Sequence, residues 1–129
     1  MPHQKRILLA DSDESFSMIL KTFLRKHEGF HVLHTREDRE TMDTIHRHRP
    51  HILLLDYRLP RKGGFHVLEQ LWEGGHKLST ILMTALPTNQ VVDEAHDLGA
   101  KFVLPKPFAP KALTDRIHDL LHDAPPEQR

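Results

Sequence analysis

Cysteine is absent from all 129 residues. That excludes disulfide bonds, thiolate nucleophiles and cysteine-ligated zinc, and it is compatible with a reducing compartment. Long apolar runs are missing too. Aliphatic stretches such as Ile7-Leu8-Leu9-Ala10 and Ile52-Leu53-Leu54-Leu55 fall far short of the ~20 residues that cross a bilayer. No signal-peptide core opens the chain, so a cytoplasmic protein without a membrane partner is expected. Neither sign of charge is in excess: Lys plus Arg and Asp plus Glu both number 18. Sequence-independent nucleic-acid binding needs a basic surplus, so direct nucleic-acid contact is not expected. Internal repeats and low-complexity blocks are also lacking.

What is present suits one globular domain. Hydrophobic residues make up 38% and charged residues 28% of the chain, enough to bury a core of the commonest domain size. The domain is expected over 1–122, with 123–129, which contains Pro125-Pro126, as a polar tail or the start of a linker. Histidine is abundant at 12 residues. Only His118 and His122 share a helix face at i, i+4, no nearby carboxylate completes a metal-binding set, and a solvated face is the simpler reading.

Short apolar runs alternate with amphipathic stretches along the chain. Ile7 to Ala10 reads as a buried strand. Phe16, Ile19, Leu20, Phe23 and Leu24 then make one helical face, stopped by Gly29. Phe30 to His34 alternates, as an edge strand does, and a weakly apolar helix follows around Met42 and Ile45. Ile52 to Leu55 is the most hydrophobic run and belongs mid-sheet. A third helix carries Phe65, Leu68, Leu71 and Trp72 and closes at Gly74-Gly75. Thr80 to Met83, a helix with Val91, Val92, Ala95 and Leu98 ending at Gly99, Phe102 to Leu104, and a helix with Leu113, Ile117, Leu120 and Leu121 complete the series. Each parallel return needs a crossover, so the pattern predicts an α/β fold: a doubly wound, five-stranded parallel sheet in the flavodoxin-like order 2-1-3-4-5 with helices on both faces.

In such sheets ligands bind beyond the carboxyl ends of the strands. Those positions hold Asp11, Ser12 and Asp13 after strand one, Asp56 after strand three, Thr84 and Ala85 after strand four, and Lys106-Pro107 after strand five. Taken singly, Asp13 is a helix N-cap, Thr84 a strand-end hydroxyl and Lys106 a solvated charge. Together they place carboxylates, a hydroxyl and a lysine on one edge.

From Arg6 to Leu121 the chain resembles the receiver domains of two-component response regulators. The resemblance is carried by Ile7-Leu8-Leu9-Ala10-Asp11; by His51-Ile52-Leu53-Leu54-Leu55-Asp56-Tyr57-Arg58-Leu59-Pro60 with Gly64 beyond; by Leu82-Met83-Thr84-Ala85; and by Gly99-Ala100 leading to Lys106-Pro107-Phe108. It implies a signalling module rather than an enzyme. Asp56 would accept a phosphoryl group from a histidine kinase or phosphotransfer protein, and the domain would pass the signal to a downstream output domain or protein. It further implies Mg²⁺ held by Asp11, Asp56 and the Arg58 backbone carbonyl, Lys106 and Thr84 contacting the phosphoryl oxygens, and a cis Lys106–Pro107 bond. A homodimer through the fourth helix, fifth strand and fifth helix is one arrangement open to the family.

Two positions depart from the pattern. Most receivers carry a second acidic residue where Ser12 stands, which bears on metal affinity, and Asp13 is the neighbouring candidate ligand. Val103 occupies the place of the usual Tyr or Phe switch, and Phe102 beside it points to the opposite face. These departures keep a second reading open, a pseudo-receiver that works without phosphate. A third is suggested by Asp11-Ser12-Asp13-Glu14-Ser15, which is similar to the nucleophile loop of haloacid-dehalogenase-type phosphatases, with Asp11 attacking. It leaves Asp56 unexplained.

Overall fold

Five parallel strands pair in the order β2-β1-β3-β4-β5 in the computed structural model, which describes residues 4–122. The strands are β1 (Arg6–Ala10), β2 (His31–Thr35), β3 (Ile52–Asp56), β4 (Ser79–Thr84) and β5 (Phe102–Pro105). The helices are α1 (Glu14–Glu28), α2 (Asp38–His48), α3 (Gly64–Glu73), α4 (Asn89–Asp97) and α5 (Pro110–His122). The expected order is thus observed, and the expected tail over 123–129 lies outside the described residues.

Alternation along each strand feeds two cores. Ile7, Leu9, Ile52, Leu54, Ile81, Met83 and Leu104 face α1 and α5, where they meet Leu20, Leu24, Leu113 and Ile117. Leu8, Ala10, Leu53, Leu55 and Leu82 face the other way, onto Met42, Ile45, Val67, Leu68, Leu71 and Ala95 of α2, α3 and α4. β3 is buried at every position because both of its faces are covered. Phe102 joins the first core and Val103 the second, as alternation requires.

Three details differ from the sequence reading. The second strand starts at His31, one residue late, because the Phe30 N–H turns back to the Leu24 carbonyl at 3.3 Å. That bond completes the end of α1 over Gly29, whose φ of 70° suits a residue without a side chain. Ile19 is 70% exposed and Trp72 62% exposed, so neither is a core residue. The inward face of α1 runs instead through Ser17, Leu20 and Leu24, and Trp72 stands one residue, about 100° of rotation, past the buried Leu71. Finally, the fold brings Glu28 of α1 within 2.7 Å of His118 Nε2 on α5. His118 therefore does have a carboxylate neighbour, although no group of three or more His, Asp or Glu suited to a metal occurs among the described residues.

Candidate phosphoacceptor site

Strand register builds the site. Ala10 pairs with Leu55, so Asp11 and Asp56 leave the sheet side by side at the end of β1 and β3. Asp56 pairs with Met83, placing Thr84 one step beyond it, and Thr84 pairs with Pro105, placing Lys106 one step further. Residues separated by as much as 95 positions, Asp11 and Lys106, thereby meet.

The Lys106 ammonium lies 2.6 Å from Asp11 Oδ2 and 3.6 Å from Asp56 Oδ1. Asp11 is 1% exposed, and the Asp56 side chain 12%. A lone carboxylate at such depth is costly, and two sharing one lysine repel each other. Burial and the Asp11 charge push the Asp56 carboxyl above its ordinary range, while Lys106 and the Arg58 N–H pull part of the way back. The second oxygen of Asp11 accepts the Asp13 N–H at 2.9 Å, and the Arg58 N–H lies 3.4 Å from Asp56 Oδ1. Thr84 is buried, and its oxygen accepts the Leu86 N–H at 2.9 Å. The Lys106–Pro107 peptide is cis, as the resemblance implied.

Asp13 caps α1: its side chain accepts the Phe16 N–H at 3.0 Å. Ser12 is solvent-exposed beside Asp11. The pocket therefore offers two buried carboxylates and a neutral hydroxyl, with a third carboxylate engaged on the helix.

Three supporting residues escape sequence reasoning. The Phe16 ring lies 4.2 Å below the Lys106 ammonium and is itself met edge-on by Phe108 at 5.8 Å, a cation–π contact that helps orient the lysine. Phe16 has the spacing of a core residue, and nothing local ties it to Lys106. His34 Nε2 donates to the Asp11 carbonyl at 2.9 Å; a carbonyl can only accept, so this nitrogen carries the proton. Asp38 holds the loop between β3 and α3, and its only local signal is an acidic residue at a helix start.

A family model described as the response regulator receiver domain matches residues 7–118. Response regulator RR06 of Streptococcus pneumoniae is 31% identical over 115 residues, covering 89% of this chain and 52% of the relative. Response regulator MprA of Mycolicibacterium vanbaalenii is 34% identical over 122 residues, covering 95% and 52%. The chain thus spans about half the length of these curated relatives. Among solved structures, the non-phosphorylated HemR receiver domain of Leptospira biflexa superposes with a TM-score of 0.86 at 27% identity, over 95% of this chain and 98% of that one. A CheY-like receiver domain protein from Methanospirillum hungatei gives 0.85 at 25%, over 92% and 94%. Nothing in the fold or in these likenesses favours the phosphatase or phosphate-independent readings. A family match along nearly the whole chain, on the fold that family shares, makes this protein a member of the response regulator receiver domains of two-component systems.

Proposed function

We propose that Asp56 is the phosphoacceptor of this domain, supplied by a histidine kinase, a phosphotransfer protein or a small acyl phosphate. Receiver domains are signalling domains, and this one acts by being modified. The observation that carries the reading is the Lys106 ammonium, 2.6 Å from Asp11 and 3.6 Å from Asp56 where β1 and β3 end together. In the step, an Asp56 oxygen attacks phosphorus and a carboxyl–phosphoryl bond forms. The bond from phosphorus to the donor breaks, and the leaving group departs with its electron pair.

Each neighbouring group has a task. Burial and Asp11 make the Asp56 carboxylate more basic than usual, which favours attack once it is ionised. Lys106 pairs with a phosphoryl oxygen as negative charge accumulates. The Thr84 oxygen already accepts from Leu86, which leaves its own proton to donate to a second phosphoryl oxygen. Asp11, Asp56 and the Arg58 carbonyl are hard oxygen donors of the kind Mg²⁺ takes, and the bound ion would supply the positive charge that lets one anion approach another. With Ser12 in place of a carboxylate and Asp13 turned to its helix, this donor set carries one charge fewer than a fully acidic pocket, which weakens the affinity.

Thr84 drawn toward the phosphoryl group displaces the strand end against β5, and α4, β5 and α5 carry the response to an output domain, a partner protein or a second copy of the chain. Val103 provides no aromatic switch, so the response travels through packing at that surface. The cytoplasm supplies the kinase and the Mg²⁺ this cycle needs. Titration with beryllofluoride and Mg²⁺, followed by amide spectra, tests the reading. Shifts at Asp56, Thr84 and Lys106 are expected, and an unchanged spectrum would favour a phosphate-independent interaction module instead.

A further inference from the structure

Asp38 opens α2 and is buried. A carboxylate in the first helical turn usually sits in solvent, where the helix dipole alone accounts for it. This one has a second set of partners. Its Oδ1 accepts the N–H of Arg39 in its own helix at 2.8 Å and lies 3.4 Å from the N–H of Arg61 in the β3–α3 loop. The Lys62 N–H also favours its ionised form. A bond runs back the other way, from the Asp38 N–H to the Pro60 carbonyl at 2.7 Å. Arg61 also lies 3.5 Å from the Glu37 carboxylate. Burial pushes the Asp38 carboxyl up, yet the N–H groups of Arg61, Arg39 and Lys62 outweigh it and hold the group below its ordinary value. A charged, buried carboxylate is thus clasped to the loop.

The far end of that loop is Asp56. The Leu59 N–H donates to the Asp56 carbonyl at 3.1 Å, and the Arg58 N–H faces the Asp56 carboxylate at 3.4 Å. Leu59 is buried, whereas Arg58, Pro60, Arg61 and Lys62 are exposed, so side-chain packing holds the segment at one residue only. The Gly64 N–H closes the base of the loop on the Tyr57 carbonyl at 2.9 Å, and the clasp to α2 holds its tip from Pro60 to Lys62.

We propose that Asp38 is a positioning residue for phosphoryl transfer: by holding Pro60 to Lys62 against the start of α2, it sets where the Arg58 peptide sits beside Asp56. The inference rests on Asp56 being the phosphoacceptor. A displacement of about 1 Å at a reacting group costs up to two orders of magnitude in rate, so the effect appears in the chemical step.

The test uses the full chain with three variants. Asp38→Ala removes both halves of the side-chain clasp. Asp38→Ser keeps an oxygen for the helix start but is too short to hold the loop, so it reports even where alanine compromises folding. Asp38→Asn keeps the acceptor without the charge. The initial rate of phosphorylation is measured at saturating acetyl phosphate and Mg²⁺, with hydrogen exchange at Arg61 and Lys62 and a thermal melt. A rate about tenfold lower in the alanine and serine variants, faster exchange at the loop, a cooperative melt for the serine variant, and substantial recovery in Asp38→Asn are expected. Native rates in the alanine and serine variants, with faster loop exchange, would overturn the proposal and leave Asp38 purely structural. Absence of phosphate uptake by the unsubstituted chain would instead remove the phosphoacceptor reading, and this inference with it.

Discussion

Replacing the phosphoacceptor by its near-isosteric amide, Asp56→Asn, should make the metal-free protein more stable at neutral pH. The Asp56 side chain is only 12% exposed, and burial and Asp11 both oppose its charge. Lys106 offsets part of that cost, but it lies 1.0 Å closer to Asp11, 2.6 Å against 3.6 Å. Replacing a poorly compensated buried charge by a neutral group of the same shape stabilises proteins by roughly 1–4 kcal/mol, so with Lys106 offsetting part of the cost the amide should gain about 1 kcal/mol. For a chain of 129 residues that is a rise of roughly 3–5 °C in Tm. The gain has a definite pH dependence. Because the folded-state pKa of Asp56 is raised, its contribution to wild-type stability is fully present below the ordinary value of 3.8 and is lost as pH rises through the raised value. The advantage of Asp56→Asn should therefore be fully developed at pH above the raised value and shrink toward acid. Asp38, whose carboxyl is lowered, stabilises above 3.8 and loses that effect as pH falls through its own lowered value. It is common to both proteins and cancels in the difference. Paired urea melts in EDTA across this range measure the effect. A less stable amide variant at neutral pH, or an offset that does not change with pH, would refute the electrostatic reasoning.

Ser12→Asp should tighten Mg²⁺ binding at least tenfold by calorimetry, equivalent to about 1.4 kcal/mol, while lowering metal-free stability by crowding a third carboxylate into the pocket. Asp13→Ala should cost about 1 kcal/mol of helix capping and leave Mg²⁺ affinity nearly unchanged; loss of binding would make Asp13 the ligand. Lys106→Ala should cost about 2 kcal/mol in a urea melt, because it strands a 1%-exposed Asp11 beside Asp56, and combining it with Asp56→Asn should recover part of that loss. Gly64→Ala should destabilise by about 1–3 kcal/mol, since a Cβ there would lie 2.6 Å from the Asp56 carbonyl oxygen; a fully native melt would show that the backbone yields freely.

The strands and their order were legible because burial on both faces leaves runs such as Ile52 to Leu55 without polar interruption, and because parallel strands admit few connections. The convergence of Asp11, Asp56, Thr84 and Lys106 on one sheet edge was legible as well, the first three standing one step past an apolar run and Lys106 two. The cost of removing Lys106 was not. A lysine at a strand end reads as a surface charge worth about 1 kcal/mol, and only the fold reveals that its ammonium sits between two buried carboxylates. Phe16 and Asp38 were hidden for the same reason. Their local patterns, a helix face and a helix start, are satisfied without reference to the distant Lys106 and Arg61 they serve. Trp72 and Ile19 show the converse: apolar residues adjoining a helical stripe read as core, although the stripe turns past them.

The most direct measurement of the central claim is intact-mass analysis after incubation with acetyl phosphate and Mg²⁺, run beside Asp56→Asn. The account predicts the addition of one phosphoryl group to the native chain, lability of that group at alkaline pH as expected of an acyl phosphate, and no addition to the variant. A native chain that stays unmodified while folded, or equal labelling of Asp56→Asn, would contradict it.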